Sequence, residues 1–436
     1  MQERYAKAFT DRVAEFATAE LPAPTARSVR LLELPGKIDA VIGMRRVGKS
    51  WLLLHRIHEL LQQGIGRHRI LYCEFEDERL ADVPAEHLGL LEEAFFTRYP
   101  ESRNQECWFL FDEIQEVRGW EKFVRRLQAD RKRHITITGS SARLLGNDIA
   151  TSLRGRAITT ELFPFSFAEV LAHRDIERPD RWPVAGIERS RLQRAFANYM
   201  ERGGFPEVQD FAPLAWRRTL QGYQETVVLR DVAERHAIGN LPALRFVVRR
   251  LLRSIGSKTS AHALHQDLRS ANISLGKDAI YTLLGHLEDA FLVHLLPLDA
   301  TSERRRQMNP RKVYAVDHGL VRACIPTATR DFGHHLENVV YLELRRRGTV
   351  VGYHLTEDGQ EVDFVFEDQA GERQLIQVCA DLSDVETHRR EVSALAKAAA
   401  ETGIKKATIV SAQTDAKERV GSITVRIVPA WQWLCE

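Results

Sequence analysis

The sequence has few cysteines, no long apolar run and almost no net charge, and each absence excludes a class of protein. Its 5 cysteines in 436 residues stand singly, without a CxxC pair, so we expect neither a disulfide framework nor a structural zinc site. No stretch of about 18 apolar residues occurs, and the amino terminus has no apolar segment typical of a signal peptide. We therefore expect no membrane span and a cytoplasmic setting.

A formal net charge of +2 excludes a uniformly basic nucleic-acid binder but leaves room for local basic patches. Such runs lie at 125–133, 249–253, 304–312 and 345–347, and each is either a solvated surface or a place for phosphates. With 44% hydrophobic and 28% charged residues, the composition is that of a globular protein of about two to four domains. Neither an internal repeat nor a low-complexity segment is present in the sequence.

The first half of the chain alternates short apolar runs with helical patterns. Strands are predicted at 37–42, 69–75, 107–111, 134–138 and 157–162. Strands that alternate with helices predict a parallel sheet with helices on both faces, and hence an α/β fold.

A glycine-rich segment follows the first predicted strand and opens a helix. It reads Gly43, Met44, Arg45, Arg46, Val47, Gly48, Lys49, Ser50 and then Trp51. This matches the phosphate-binding P-loop in the strand–turn–helix context that the motif requires. The glycines permit a tight turn whose N–H groups point at phosphate oxygens. Lys49 would contact the β- and γ-phosphates, and the Ser50 hydroxyl would ligate Mg²⁺.

Two acidic residues end the third strand, where a parallel sheet brings them to the same edge as the P-loop. Asp112 is placed to hold Mg²⁺ through water, and Glu113 to polarise the attacking water. The fourth strand leads to Ser140, which either reaches the γ-phosphate or the water, or caps the following helix.

Phosphoryl transfer usually needs one more cation to stabilise the transition state. Arg143, Arg154 and Arg156 follow the fourth strand, and the last two flank Gly155. Arg154 or Arg156 is the better candidate, and each would act on the nucleotide of a neighbouring subunit. That role predicts a homo-oligomer, either a ring or a dimer.

The pattern along the whole chain divides it into five segments. An N-terminal helical segment spans 1–30, the nucleotide-binding core 31–175, a helical linker 176–240, a helix-rich domain 241–330 and a small α/β domain 331–436.

The helix-rich domain contains two helices, 261–271 and 277–288, at helix-turn-helix spacing. Lys277, Tyr281 and His286 lie on the second helix and are candidate DNA contacts. The alternative is that this module packs as a lid on the nucleotide-binding core, since much of the second helix is apolar.

The order of motifs resembles the AAA+-type P-loop ATPases of prokaryotes that carry a C-terminal domain of unknown function related to PD-(D/E)XK nucleases. The motifs are GMRRVGKS, FLFDEIQ, ITGSSARLL, SLRGRA, ELFPFSFAEV, GGFPEV, VVLRDV, RKVYAVDHGL, LENVVYLELRRRG, GQEVDFVF and LIQVC. The resemblance covers nearly the whole chain. It implies ATP as the nucleotide, an ATPase core, a winged-helix-like middle and a nuclease-like tail.

The nuclease-like tail departs from the pattern of its family. Such enzymes bind Mg²⁺ with carboxylates from a helix and two strands and use a lysine on the last strand. Here Glu337 and Asp363 match, whereas Gln377 replaces the second strand acid and Cys379 replaces the lysine. A neutral amide is a poor ligand for Mg²⁺, so we predict the fold without DNA cleavage.

These features lead to two hypotheses of function. The first is a Mg²⁺-dependent ATPase coupled to the binding or remodelling of DNA, such as branched DNA. The second is a nucleotide-dependent switch or scaffold that acts on protein partners without DNA. An ATP-driven nuclease is disfavoured by Gln377 and Cys379.

Overall fold

The computed structural model describes residues 2–140, 155–300, 302–325, 331–421 and 423–436. The chain forms two compact units, Met1–Phe163 and Pro164–Glu436. Within the described residues, no helix combines the length and the apolar character needed to cross a membrane.

The first unit is built on a five-stranded parallel sheet in the order β2-β3-β4-β1-β5. Its strands are β1 (Ile38–Ile42), β2 (Ile70–Glu74), β3 (Cys107–Asp112), β4 (Arg133–Gly139) and β5 (Ala157–Glu161). The predicted parallel sheet is therefore confirmed, with strand ends displaced by at most one residue. β1 is buried along its whole length, as expected for a central strand covered on both faces.

Helices pack on this sheet and complete the core of the first unit. They are α1 (Gln2–Thr18), α2 (Lys49–Gln62), α3 (Gly89–Arg98) and α4 (Glu121–Gln128). The N-terminal helix α1 buries Tyr5, Phe9 and Val13, which recur every four residues and so share one face. This helix therefore belongs to the core of the first unit.

The second unit begins with helices. They are α5 (Phe167–His173), α6 (Gly186–Arg202) and α7 (Pro213–Thr226), and α7 continues into a π-helical segment, Val227–Glu234. The chain turns after α6 at Gly203 and Gly204. A Cβ atom at Gly204 would lie 2.1 Å from the carbonyl oxygen of Phe165, so only glycine fits there.

Four helices and the three strands of a small antiparallel sheet follow. The elements are α8 (Leu241–Leu252), β6 (Lys258–Thr259), α9 (Ala261–Ser270), α10 (Lys277–Asp289), β7 (Val293–Leu296), α11 (Glu303–Met308) and β8 (Arg311–Ala315). The strands pair in the order β6-β8-β7. The two helices predicted at 261–271 and 277–288 are present as α9 and α10. The strands were not predicted, because runs of two to five residues carry too little periodicity.

The C-terminal part is a six-stranded mixed sheet in the order β13-β14-β12-β11-β10-β9. Its strands are β9 (Gly348–Leu355), β10 (Glu361–Asp368), β11 (Arg373–Cys379), β12 (Lys406–Ser411), β13 (Ala416–Val420) and β14 (Ile423–Pro429). The helices of this part are α12 (His318–Cys324), α13 (Phe332–Arg347), α14 (Val385–Thr402) and α15 (Ala430–Trp433). The buried face of α14 packs Leu395 and Ala398 against Val425 and Ile427.

Candidate functional site

The loop between β1 and α2 has the backbone geometry of a phosphate-binding turn. Gly43 has a φ of 151°, and a Cβ atom there would lie 2.3 Å from the carbonyl oxygen of Leu162. Gly48, with a φ of 100°, lies directly before the first turn of α2. A side chain at either position would strain the turn, so the glycines are required by the backbone. The free N–H groups at the start of α2 then form an anion site.

Lys49 lies inside this loop and is 4% exposed. Its ammonium donates to the carbonyl oxygens of Gly43 at 3.1 Å and Met44 at 3.3 Å. It also forms an ion pair with Glu113, with 3.0 Å between Nζ and Oε1. The P-loop lysine and the predicted water-polarising glutamate are therefore in direct contact.

Asp112 ends β3 and is fully buried, and hydroxyl groups surround its carboxylate. Thr138 donates to one oxygen, Tyr72 donates to the other at 3.3 Å, and Ser50 also forms a hydrogen bond with it. Burial raises the pKa of Asp112, and the hydrogen bonds from Ser50 and Thr138 offset part of that effect. The Ser50 hydroxyl and the Asp112 carboxylate are hard oxygen ligands held together, so this pair fits Mg²⁺.

Glu113 has a left-handed backbone conformation, with a φ of 49°. Its N–H donates to the Thr138 hydroxyl at 2.8 Å, and its carboxylate accepts a hydrogen bond from Gln115. Burial by itself raises the pKa of Glu113, but the Lys49 ammonium and the Gln115 amide outweigh burial and lower it. The side chain is thus kept ionised at the mouth of the P-loop. A strained backbone of this kind, which costs about 1–3 kcal/mol, is common where a side chain must be aimed.

Ser140 is buried just beyond β4, and its Oγ lies 3.4 Å from the Gln115 amide nitrogen. Gln115 therefore lies between Ser140 and Glu113. The residues beyond Ser140 that would form a capped helix, Ser141 included, lie outside the described residues. Neither the role of Gln115 nor the hydrogen bonds of Thr138 to Asp112 and Glu113 were predicted from the sequence. The one feature of the sequence that could have indicated a role for Thr138 is that a polar residue stands in the buried strand β4.

The other residues of the P-loop segment differ in exposure. Met44 and Val47 are buried, whereas Arg46 is exposed and Arg45 pairs with Glu76 at 2.6 Å. Trp51 follows Ser50 on the first turn of α2 and is 48% exposed. The structure therefore leaves the tryptophan ring at the surface beside the loop.

Of the three candidate arginines beyond β4, only Arg156 is described, and Arg143 and Arg154 lie outside the described residues. Arg156 is exposed and precedes β5, which runs parallel to β1 with Ala157 opposite Ile38. It therefore lies at the start of β1, whereas the P-loop follows its end, about 16 Å away at ordinary strand rise. Its predicted role requires a nucleotide bound by another copy of the chain.

The predicted nuclease-like residues Asp363 and Gln377 lie on the paired antiparallel strands β10 and β11. The Gln377 carbonyl accepts from the Asp363 N–H at 3.1 Å, and its NH₂ group donates to Glu391 at 2.7 Å. Both ends of the Gln377 amide are thus used within the fold. Burial raises the pKa of the Cys379 thiol to about 11, so it is neutral at ordinary pH.

Glu337 lies on α13, and its carboxylate and that of Asp363 both contact Lys312. The Lys312 ammonium is 2.5 Å from Glu337, 2.8 Å from Asp363 and 2.9 Å from Glu361. Burial opposes the charged form of Lys312, but the carboxylates, Asp363 foremost, outweigh burial and hold its pKa well above the ordinary value. Lys312 and Glu361 were missed in the sequence. Lys406 on β12 lies elsewhere and pairs with the exposed Glu372.

The helix α10 presents part of its surface to solvent. Lys277 is exposed and Tyr281 is 62% exposed, both in the first half of the helix, while the apolar second half is buried. His286 stacks on His236 with 3.6 Å between ring centroids, so it makes an internal contact. Arg304 and Arg305 are exposed on α11, between β7 and β8.

The basic run at 345–347 is used inside the second unit. Arg346 bonds to Glu343 and to the Pro164 carbonyl, and Arg347 bonds to Glu343 and to the Trp433 carbonyl. This run is therefore structural, in contrast to the exposed arginines of α11.

The parallel sheet, the glycine loop and the acidic residues beside it define a P-loop ATPase fold with a nucleotide site of the AAA type. Residues 35–171 match an AAA domain, residues 193–331 a domain of unknown function (DUF8612), and residues 332–433 another domain of unknown function (DUF4143). The family resemblance of the first unit is thus confirmed. The nuclease relationship of the C-terminal part stays a prediction.

Two curated proteins resemble the chain over most of its length. An uncharacterised protein, MJ1544, of Methanocaldococcus jannaschii is 31% identical over 420 residues, which is 93% of this chain and 90% of that protein. An uncharacterised protein of Haemophilus influenzae is 30% identical over 356 residues, 81% of this chain and 85% of that protein. The chain belongs to the family of AAA-domain proteins that includes these two.

This chain also resembles solved structures of ATPases. The Walker-type ATPase PABY2304 of Pyrococcus abyssi aligns with a TM-score of 0.39 and 16% identity, over 73% of this chain and 95% of that one.

Proposed function

We propose that this chain is a Mg²⁺-dependent ATP hydrolase whose turnover is coupled to DNA binding. The observation that supports hydrolysis is the convergence of Lys49, Asp112 and Glu113 at the end of β1 and β3. These are a phosphate-binding cation, a metal-binding carboxylate and an ionised carboxylate aimed at the same point.

Each group has a role in attack by water on the γ-phosphorus of ATP. The N–H groups at the start of α2 and the Lys49 ammonium bind the phosphate oxygens. Glu113 accepts a hydrogen bond from the attacking water and takes its proton, and ADP and phosphate leave. Thr138, which bonds to both Asp112 and the Glu113 N–H, positions these two residues.

Mg²⁺ would be held by Ser50 and Asp112, where it would neutralise charge on the phosphate oxygens. Tyr72 and Thr138 orient the Asp112 carboxylate through their hydroxyl groups. This second layer of contacts would keep the ligand oxygens in place.

Arg156 can act in hydrolysis only if the active form is a homo-oligomer. It is exposed at the opposite end of β1 from the P-loop and would complete the site of an adjacent copy. Arg154, its predicted alternative, is two residues away in sequence.

The supporting observation for DNA is the arrangement of residues 241–315. The order helix, strand, helix, helix, strand, helix, strand, with β8 between β6 and β7, resembles that of a winged-helix domain. The connection from β7 to β8, which carries α11, would be its wing. In such domains the helix that matches α10 enters the major groove, and the wing contacts the backbone. Lys277 and Tyr281 would face the groove, and the α11 arginines would bind phosphates with little sequence preference.

The test is phosphate release by the wild type, Glu113→Gln and Lys49→Ala, each without DNA and with single strands, duplex and a four-way junction. We expect one DNA form to stimulate the wild type and Glu113→Gln to lose about 10²–10⁴-fold in turnover. Glu93→Gln, an exposed glutamate on α3, is the matched control and retains full activity. Turnover per chain should also rise with protein concentration if Arg156 acts between copies.

Slow turnover that no DNA form changes would contradict the coupling to DNA. The nucleotide-dependent switch acting on protein partners would then be the better description of the same site. Equal turnover in Glu113→Gln and the wild type would contradict the assignment of the hydrolytic residue.

A further inference from the structure

A lysine ammonium occupies the centre of the acidic cluster in the second unit. Lys312 is 1% exposed, and its Nζ lies 2.5–2.9 Å from oxygens of Glu337, Glu361 and Asp363. The Tyr314 hydroxyl donates to the same Glu337 oxygen at 2.7 Å. These distances are those of strong charge-assisted hydrogen bonds, so the ammonium is fully coordinated.

The surrounding residues do not fit a divalent metal ion. Mg²⁺ needs several carboxylate or water oxygens at about 2.1 Å, and here the inward-facing oxygens already bind an ammonium group. The other Asp363 oxygen accepts from the Val378 N–H at 2.9 Å. Gln377, where the nuclease pattern has an acid, is tied to Asp363 and Glu391.

The same lysine belongs to the winged-helix-like sheet, so the contact joins two parts of the second unit. Lys312 lies on β8, and Lys258 on the neighbouring β6 also pairs with Glu361, at 2.8 Å. Two lysines of one small sheet therefore converge on carboxylates of the C-terminal sheet.

Backbone contacts reinforce this junction at both ends of the connection between β7 and β8. The Tyr353 backbone on β9 pairs with Pro297 at 3.1 Å and Asp299 at 2.7 Å, and its hydroxyl donates to the Pro310 carbonyl at 2.6 Å. Arg373 on β11 bonds to the Asp299 carboxylate at 3.0 Å. Lys312 thus completes a set of contacts that hold the base of the wing.

We propose that Lys312 is the resident cation of this acidic site, that it takes the place of a divalent metal, and that it fastens β8 to the C-terminal sheet. The carboxylates of Glu337, Glu361 and Asp363 then have a structural use. The proposal does not depend on ATP hydrolysis or on DNA binding.

The experiment compares thermal unfolding of the wild type, Lys312→Met and Lys406→Met, each with a chelator and with millimolar Mn²⁺. Lys406 forms an exposed ion pair with Glu372 and is the matched control. Removing Lys312 leaves buried carboxylates unpaired. We therefore expect the midpoint of thermal unfolding of Lys312→Met to lie roughly 10 °C below that of the wild type, and that of Lys406→Met to change little. Mn²⁺ should raise the midpoint of Lys312→Met and leave the other two unchanged.

A wild-type midpoint that rises with Mn²⁺ as much as that of Lys312→Met would overturn the proposal, because a metal would then bind beside the lysine. The second readout is incubation of supercoiled plasmid with Mn²⁺. We expect no nicking by the wild type, and nicking that disappears in Lys312→Met would show a catalytic lysine instead.

If Lys312→Met does not fold, two measurements on the wild type still test the proposal. They are the response of its unfolding midpoint to Mn²⁺ and its action on supercoiled plasmid. A further variant, Lys312→Met with Glu337→Gln, removes one unpaired carboxylate and should recover part of the lost midpoint. No recovery in the double variant would contradict a cation role for Lys312.

Discussion

The nucleotide site holds an internal ion pair between the residues that serve the two halves of hydrolysis. The Lys49 ammonium, which would bind phosphate, contacts the Glu113 carboxylate, which would bind water. ATP must therefore displace Glu113 from Lys49 when its phosphates enter the loop. The cost of breaking this pair is part of the binding free energy.

This competition leads to an expectation for nucleotide affinity. Glu113→Gln removes the competing charge and its repulsion of the γ-phosphate, so it should bind a nonhydrolysable ATP analogue roughly tenfold more tightly, or about 1.4 kcal/mol. Isothermal titration calorimetry with Mg²⁺ measures the dissociation constant. Lys49→Ala should bind far more weakly, and Glu93→Gln like the wild type.

An unchanged or weaker affinity in Glu113→Gln would mean that the ion pair does not oppose nucleotide binding. The hydrolytic role of Glu113 would stand independently of that result, since it is measured by turnover.

Single residues differ in how far the sequence can predict them. The P-loop and Asp112-Glu113 are each local motifs, and they follow β1 and β3, two strands of one parallel sheet that only β4 separates. Lys312 contacts Asp363 from 51 positions away, and only the folded chain brings the two together. Thr138 and Gln115 act through hydrogen bonds, which leave no spacing pattern to detect.

At the scale of elements, the basic runs divide by what their helix packs against. The arginines at the end of α13 turn back onto Glu343 and backbone carbonyls, whereas Arg304 and Arg305 on α11 face solvent. Composition alone cannot separate these cases, because both runs read as three consecutive arginines.

If the proposed coupling to DNA holds, we expect the exposed arginines of α11 to contribute phosphate contacts. Arg304→Ala with Arg305→Ala should weaken duplex binding and reduce the slope of log affinity against log salt by about two. Fluorescence anisotropy over a salt series measures both. The control is Arg217→Ala with Arg218→Ala, two adjacent exposed arginines on α7.

Equal losses in the two double variants would show a general charge effect and would contradict a wing contact. A slope of log affinity against log salt that is unchanged in Arg304→Ala with Arg305→Ala would also contradict phosphate contacts by these arginines.

Elements also differ in predictability. The five strands of the first sheet were predicted from apolar runs that alternate with helices. The edge strand β13 was not, because AKERV is polar and half exposed. Strands β6 and β7 are too short for a period to show.

At the scale of the molecule, buried histidines make the stability of the second unit depend on pH. Burial lowers the pKa of His294 to about 3, with a smaller effect of Arg345, and lowers that of His318 to about 4. Each contributes stability that is complete above the unfolded pKa of 6.5 and is lost as the pH falls.

A buried carboxyl in the same unit acts in the opposite sense. Burial raises the pKa of Asp317 to about 6. Its contribution is lost as the pH rises toward that value. The pH dependence of the free energy of unfolding is therefore the difference between the histidine and carboxyl contributions. A variant is needed to isolate one of them.

His294→Leu should remove one of these terms. The free energy of unfolding of the wild type relative to this variant should rise with pH by up to about 1.4 kcal/mol per pH unit between pH 4.5 and 6.5. Hydrogen exchange of the β7 and β8 amides at several pH values measures it. A difference that stays constant over this range would show that His294 is not buried in its neutral form.

The anchoring of the connection between β7 and β8 also has a mechanical consequence. Tyr353 holds the chain at Pro297, Asp299 and Pro310, the two ends of the β7–β8 connection. A pulling force on the tip is therefore shared between the small sheet and β9 of the six-stranded sheet. The strands would have to slide past several bonds at once, which resists load far better than peeling one strand away bond by bond.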